Sequence, residues 1–385
     1  MNAFLATRRR DRLSLYFEHS EGWGSEGLAH TGQWPAWQPG REAYAISVME
    51  STSRTSRIEV RSARHELLGI AFKSQPGEPM AIGPRVPHYV SWASSGQALS
   101  YVAATAAGLS HFVVTLAALD VARPTVVGAP IFSTWIPGGA ASLVHVADRL
   151  VLVDAETGSV EPLEAAAVGF RAPAVSSDGQ LVAFCRRAGD GIELCVGATR
   201  ASTFDAVAAF SSGLVMAFRP GTHDLVVATT TDATSGVFDA LQLTPAAGGS
   251  ARPLWRGPFV SCAWHPEGER VIVVVPTQMG DGRYALNSVS PEGQPLAATE
   301  GFVPSDESRA AFGFFDQYLQ SHCAWSPDGR YFGLAGRCAA DGISGSLGDP
   351  SGPFALLWEP AARSALQLIG PASFVSFPPP LVNTR

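Results

Sequence analysis

Gln38, Arg219, His265 and Ser326 are the polar residues whose placement could do chemistry, because each directly follows a bulky residue in a pattern that recurs along the chain. In a ring of repeats, loops from several units can bring such positions together as metal ligands or acid–base groups. The set is mixed and contains no carboxylate cluster. Glu18, His19, His88, His111 and His322 are scattered, and a single histidine in a β-protein is more often a hydrogen-bonded structural residue than a ligand. Lys73 is the only lysine, so lysine-nucleophile chemistry would have to use a residue in a polar, Gly/Pro-rich connection with no desolvating pocket in view. No pair has CxxC or paired-histidine zinc spacing. These residues lead us to expect no cofactor, no metal and no catalytic set.

The elements that must position these residues are repeats. Eight anchors, Trp37, Trp92, Trp135, Val175, Phe218, Trp264, Trp325 and Phe377, are each followed two places later by Pro or Ser, usually with a Gly or Pro turn next. Successive intervals are 55, 43, 40, 43, 46, 61 and 52 residues, near the roughly 40–50 expected of a four-stranded propeller blade. The 8 residues beyond Phe377 and the 37 up to Trp37 make one more interval of 45. An all-β propeller of four-stranded antiparallel blades follows, with eight blades expected, or seven if the Phe377 copy is discounted. In the closing blade, Phe374–Phe377 is the inner strand and the N-terminal segment, from Leu13–Phe17 onward, supplies the others. Such closure leaves no open sheet edge. Ser94 and Ser177, standing where other copies have proline, and Val175 mark the weaker repeats.

Composition agrees with a single domain spanning residues 1–385. Apolar content is 46%, ample for cores between blades, while Gly 39 and Pro 28 supply turns. Continuous apolar runs such as Leu150–Val153 and Leu181–Phe184 imply strands covered on both faces. The anchors are then core residues wedged between sheets. A net charge of −7 argues against general nucleic-acid binding. No apolar run approaches a membrane span and no secretory core is seen, so a cytoplasmic location is expected; Arg8-Arg9-Arg10 is the one targeting-like feature, followed at once by Asp11. The five cysteines are expected to be reduced, with Cys185 and Cys195 the one pair that could face across a hairpin, and Cys262 and Cys323 standing at equivalent sites before their anchors.

Turns after each inner strand are short, whereas connections between blades and between second and third strands are expanded. In an up-and-down blade those two expanded classes share one face, which is where binding is expected. The largest are residues 299–320 and 337–353. Within the first, Ser305 is a helix cap, followed by Asp306 and Glu307 and by an apolar stripe at Ala311, Phe312, Phe315, Tyr318 and Leu319. This helix covers the channel mouth or docks a partner, with Phe314 outside the stripe. The second is a flexible loop by its Gly, Ser and Asp content.

Ala324-Trp325-Ser326-Pro327-Asp328-Gly329, with partial copies at Trp264 and Trp37, resembles the repeat of TolB-like propellers, the WD40-like or PD40 repeat. The resemblance implies a scaffold or gate more than any one chemistry. The Trp-Asp dipeptide of true WD40 blades is absent, as is the Gly-x-Ser-x-Gly elbow of propeller-bearing peptidases. Asp154–Gly158 is reminiscent of quinone-dependent dehydrogenase repeats, in one copy only. We therefore expect a non-catalytic protein-interaction scaffold or complex subunit, with Phe312, Phe314, Phe315, Tyr318 and Arg337 as contact residues. The alternatives are a small-molecule-binding propeller, or a metal-dependent lactonase-like hydrolase using the central channel.

Overall fold

Short apolar strands joined by tight turns cannot bury both faces alone, and in this chain they stack radially as sheets. The structure is a computed structural model describing residues 2–8, 11–50, 52–53, 55–75, 89–164, 166–168, 171–201, 203–211, 213–232, 235–338, 352–362 and 365–380. Six antiparallel sheets have four strands each, and a seventh has eight. In the Trp135 sheet, for example, Ile131–Trp135, Ala141–Val146, Arg149–Asp154 and Val160–Glu164 pair in chain order. The eight-stranded sheet carries both Trp264 and Trp325: strands Ser261–Trp264 to Pro295–Ala298 join strands Phe332–Cys338 to Gln367–Pro371 through Phe302–Pro304. Gly336 permits that junction, since a Cβ there would stand 2.5 Å from the Val303 carbonyl oxygen.

The chain ends meet in one sheet. Leu5, Ala6 and Thr7 pair with Ser376, Val375 and Phe374, and Ala3–Thr7 then pairs with Arg12–His19. The N-terminal contribution thus begins at Ala3, one strand earlier than Leu13. Ala3–Thr7 is too short to show an alternation, yet its burial between two strands makes it the second strand of the sheet.

Six anchors end innermost strands, Trp325 and Phe377 make isolated bridges instead, and most of the eight are buried. Three of them make the same bond. The indole N–H of Trp37 donates to Ser376 O at 3.2 Å, that of Trp92 to Ala36 O at 2.9 Å and that of Trp135 to Ser91 O at 3.0 Å. Each acceptor is the residue just before the preceding anchor, so the ring is stitched from sheet to sheet at a fixed register. Trp264 and Trp325 have buried indole nitrogens with no hydrogen-bond partner.

Cys185 pairs with Leu194, and Phe184 with Cys195. Adjacent strand residues point to opposite faces, so the two thiols lie in different cores and are free. This corrects the cross-hairpin pairing. Of the 337–353 insertion, residues 339–351 lie outside the described residues.

Candidate functional site

Three of the residues that directly follow an anchor reach sideways from the turn after the inner strand. Gln38 Nε2 donates to Gly96 O at 2.8 Å, Arg219 Nε to Gly268 O at 2.8 Å, and His265 Nε2 to Gly329 O at 3.1 Å. All three target the turn glycine of the next repeat. Gly329 has φ +70°, and a Cβ there would meet His265 Nε2 at 2.1 Å. Ser94 and Ser177, at the proline position, accept from Gly138 N at 2.9 Å and Gly221 N at 3.0 Å. The serine copies are therefore clasps of the same kind. Ser326 stays within its own turn, donating to Asp328 and accepting from Tyr331 N. Three of the four polar residues flagged by their spacing thus hold neighbouring repeats together, and the four bond in separate turns.

His265, Glu267 and Glu269 form the one His/carboxylate group of metal-binding geometry among the described residues. Both ring nitrogens of His265 are engaged, one by Gly329 O and the other by Glu267 N. His111 is buried against Thr125, and His322 bonds Trp34 O and Ser321. Glu18 takes Arg330, Tyr331 and Asn2. His88 lies outside the described residues. Lys73 pairs in register with Arg57 on an outer strand, far in topology from the channel.

The insertion after Phe302–Pro304 fills part of the channel. Helix α1, Asp306–Gly313, is capped by Ser305, whose hydroxyl accepts from Ser308 N, and helix α2 runs Phe315–Ser321. The spacing predicts one continuous helix, but it breaks at Phe314, with φ −130° and ψ 47°. At the break the Arg171 guanidinium donates to the Gly313 carbonyl at 3.0 Å, and Gln317 N bonds Phe314 O rather than Gly313 O.

α2 enters between the innermost strands, touching those of Trp92, Trp135, Phe218 and Trp264. On one side of α2 stands an aromatic column. Tyr318 stacks on Trp34 with centroids 5.0 Å apart and on Tyr89 at 5.2 Å, while Phe374 packs on Trp34 at 4.7 Å. Trp34, Tyr89, His322 and Phe374 all stand three residues before an anchor. Trp34 and Tyr89 have φ +52° and +55°, a left-handed conformation that bulky residues rarely adopt. The equivalent positions across the ring hold Ala172, Val215 and Ser261.

That smaller side accommodates Asp316 and a cavity. Asp316 is fully buried; Ala172 N donates to it at 3.0 Å and Arg171 lies at 3.5 Å. Burial pushes its carboxyl above the usual carboxylate range, with Arg171 and the backbone donors pulling it back. The cavity, about 360 Å³, runs from Phe315, Asp316 and Leu319 toward the turn prolines Pro137, Pro220 and Pro266, between Trp264 and Trp325. Cys262 and Cys323 line it; burial raises both thiols, that of Cys323 to about 11, so they contribute as neutral groups. A larger groove of about 640 Å³ lies between the turns of the Trp135 and Val175 sheets. Its Asp154 and Thr199 are already bonded within the turns.

Of the contact residues expected from sequence, Phe312, Phe315 and Tyr318 are buried and seat the helices. Phe314 is half-buried beneath Arg171, whose guanidinium lies 5.8 Å from its ring centroid, and Arg337 is exposed at the end of Phe332–Cys338. Sequence reasoning missed Arg171, Asp316, Trp34 and Tyr89. The last two carried a signal, their common offset from the anchors. The Arg171–Asp316 pair, 145 residues apart, carried none.

No protein-family model matches the chain, and no curated protein matches it in sequence. Solved structures share its fold. A dihydro-heme d1 dehydrogenase NirN in complex with DHE gives a TM-score of 0.61 at 9% identity, covering 97% of this chain and 74% of that one. A structure described as the eukaryotic initiation factor gives 0.56 at 9% identity, covering 99% of both chains. An oligogalacturonate lyase in complex with manganese gives 0.51 at 14% identity, covering 85% of this chain and 84% of that one. These likenesses show the fold, and the chain is a β-propeller. No helix among the described residues is long and apolar enough to cross a membrane.

Proposed function

We propose that this chain is an eight-bladed, non-catalytic binding propeller whose central channel holds a small, largely apolar organic molecule. One observation carries the reading: the cavity walled by Trp264, Trp325 and Phe315 with a buried Asp316 at its floor. Concave, mostly apolar sites with few fixed polar groups are the usual form of small-molecule sites. The eight anchors, two of them sharing the fused sheet, support the blade count. Asp316, already held by Arg171 and Ala172 N, is an orienting acceptor in this reading. A thermal-shift screen of small aromatic and aliphatic compounds tests it. Hits should raise Tm for the wild type and lose their effect in Ala217→Phe, which fills the cavity; hits that stabilise both equally would overturn the assignment.

A second reading, a protein-interaction scaffold or complex subunit, is favoured by a separate observation. Leu67, Leu68, Val121, Val127 and Val160 are exposed on or beside the outer strands of three successive blades. Exposed apolar side chains that join into a contiguous patch would mark an interaction surface. Phe314 and Arg337 remain contact residues in this reading. Pull-down with Leu68→Glu and Val127→Glu chains checks it, since a partner docked on the rim should be lost.

A further inference from the structure

We propose that His30, Tyr44 and His65 form a binding site for a divalent transition-metal ion at the seam between the closing blade and the Trp37 blade. The three residues come from three elements. His30 is on the edge strand Gly22–Thr31, Tyr44 on Ala43–Glu50, and His65 in the turn between Thr55–Ser62 and Leu67–Lys73. His30 Nε2 lies 3.0 Å from the Tyr44 hydroxyl oxygen, and His65 Nδ1 lies 2.8 Å from the same atom.

A phenol has one proton, so it donates to one imidazole and must accept from the other. Two imidazoles and a phenol converging on a point is also the donor set that borderline ions such as Zn²⁺ and Cu²⁺ take. With metal–ligand distances of roughly 2.0–2.1 Å, neighbouring donors around an ion stand about 2.9–3.4 Å apart. The observed separations therefore need only small shifts to admit one.

The surroundings fit this use. Tyr44 is fully buried and held by Trp37, with ring centroids 5.3 Å apart, so its oxygen is fixed. His65 has φ +66°, and Arg61 donates to its carbonyl at 2.8 Å, which keeps the ring turned inward. A groove of about 540 Å³ bounded by Glu26, His30, Arg61, His65 and Glu66 gives access from solvent. The Arg61 guanidinium is paired with Glu59 at 2.6 Å, a carboxylate it shares with Arg57. If Tyr44 binds as phenolate, its proton leaves to solvent.

The test is titration of Zn²⁺ and Cu²⁺ into the full chain by calorimetry, with visible absorption for copper. The expected result is one equivalent bound at micromolar concentration or tighter, weakened about tenfold or more in H30Q and in H65Q. With copper, a phenolate charge-transfer band should appear and vanish in Y44F. Circular dichroism checks that each variant folds. E267Q/E269Q, which alters the other candidate group, should leave binding unchanged. Absence of stoichiometric binding, or equal affinity in an H30Q/H65Q chain, would overturn the proposal. A copper band that persists in Y44F would remove Tyr44 from the site.

Discussion

The two halves of the ring are built to different rules. In the half anchored by Trp37, Trp92 and Trp135, each indole N–H is bonded to the preceding sheet, and Trp34, Tyr89, Tyr318 and Phe374 fill the channel. In the half anchored by Val175, Phe218, Trp264 and Trp325, the last two indoles have no such bond, and the channel contains a cavity and a buried carboxylate. The difference teaches that one repeat pattern can serve closure on one side and leave room for a ligand on the other. In the second half Ala174, Ala217, Ala263 and Ala324, each just before an anchor, line that cavity.

The largest expected break comes from Arg171. Removing it in Arg171→Met leaves Asp316 fully buried without its counter-charge, which should cost about 3 kcal/mol or more in urea unfolding. The loss should shrink as pH falls, because a protonated Asp316 no longer needs the partner. A variant as stable as wild type at pH 7 would show that α2 is not held through this pair.

Acid should act on the clasped half through His111. Burial lowers its pKa to about 3, against about 6.5 in the unfolded chain. Below pH 6.5 the unfolded chain takes up a proton that the fold refuses, so this contribution is complete above pH 6.5 and lost progressively as pH falls toward 3. The slope approaches about 1.4 kcal/mol per pH unit for one such group. Asp316 works in the opposite sense, its raised pKa favouring the fold as it protonates. Urea midpoints at pH 7 and pH 5 should converge in His111→Gln relative to wild type.

Gly329→Ala should cost about 2 kcal/mol, since it strains a positive φ and drives a methyl into His265. Thermal unfolding measures it, and no change would mean the clasp yields freely. The smallest effect compares two equal substitutions. Trp92→Phe removes a made hydrogen bond and Trp325→Phe an unmade one, so the first should be worse by about 1 kcal/mol. Equal losses in chemical denaturation would erase the distinction between the halves.

Much of this architecture was legible in the sequence. Anchor spacing gave the repeats and their closure through both termini, because each inner strand needs a bulky residue between sheets and a turn soon after. Ser305, Asp306 and Glu307 announced a helix start, and the structure shows that cap. Ala3–Thr7 was missed because five residues beside three arginines show no alternation. The Gly313 carbonyl at the Phe314 break is taken by Arg171, far away in the chain, and local spacing cannot report that bond. Ser94 and Ser177 looked like decayed repeats because a hydroxyl accepting from a neighbouring turn is invisible until the turns are adjacent. The cavity arises from several small residues in different repeats, a sum that no single motif displays.

The most direct test of the binding channel is the indole N–H spectrum of ¹⁵N-tryptophan-labelled chain, titrated with the best compound from the thermal-shift screen. Nine tryptophans are present, and Trp135, Trp264 and Trp325 line the cavity. Those three signals should move together with one affinity while Trp37 and Trp92 stay in place. Shifts confined to other tryptophans, or no saturable shift at Trp264 and Trp325, would contradict a ligand in the central channel.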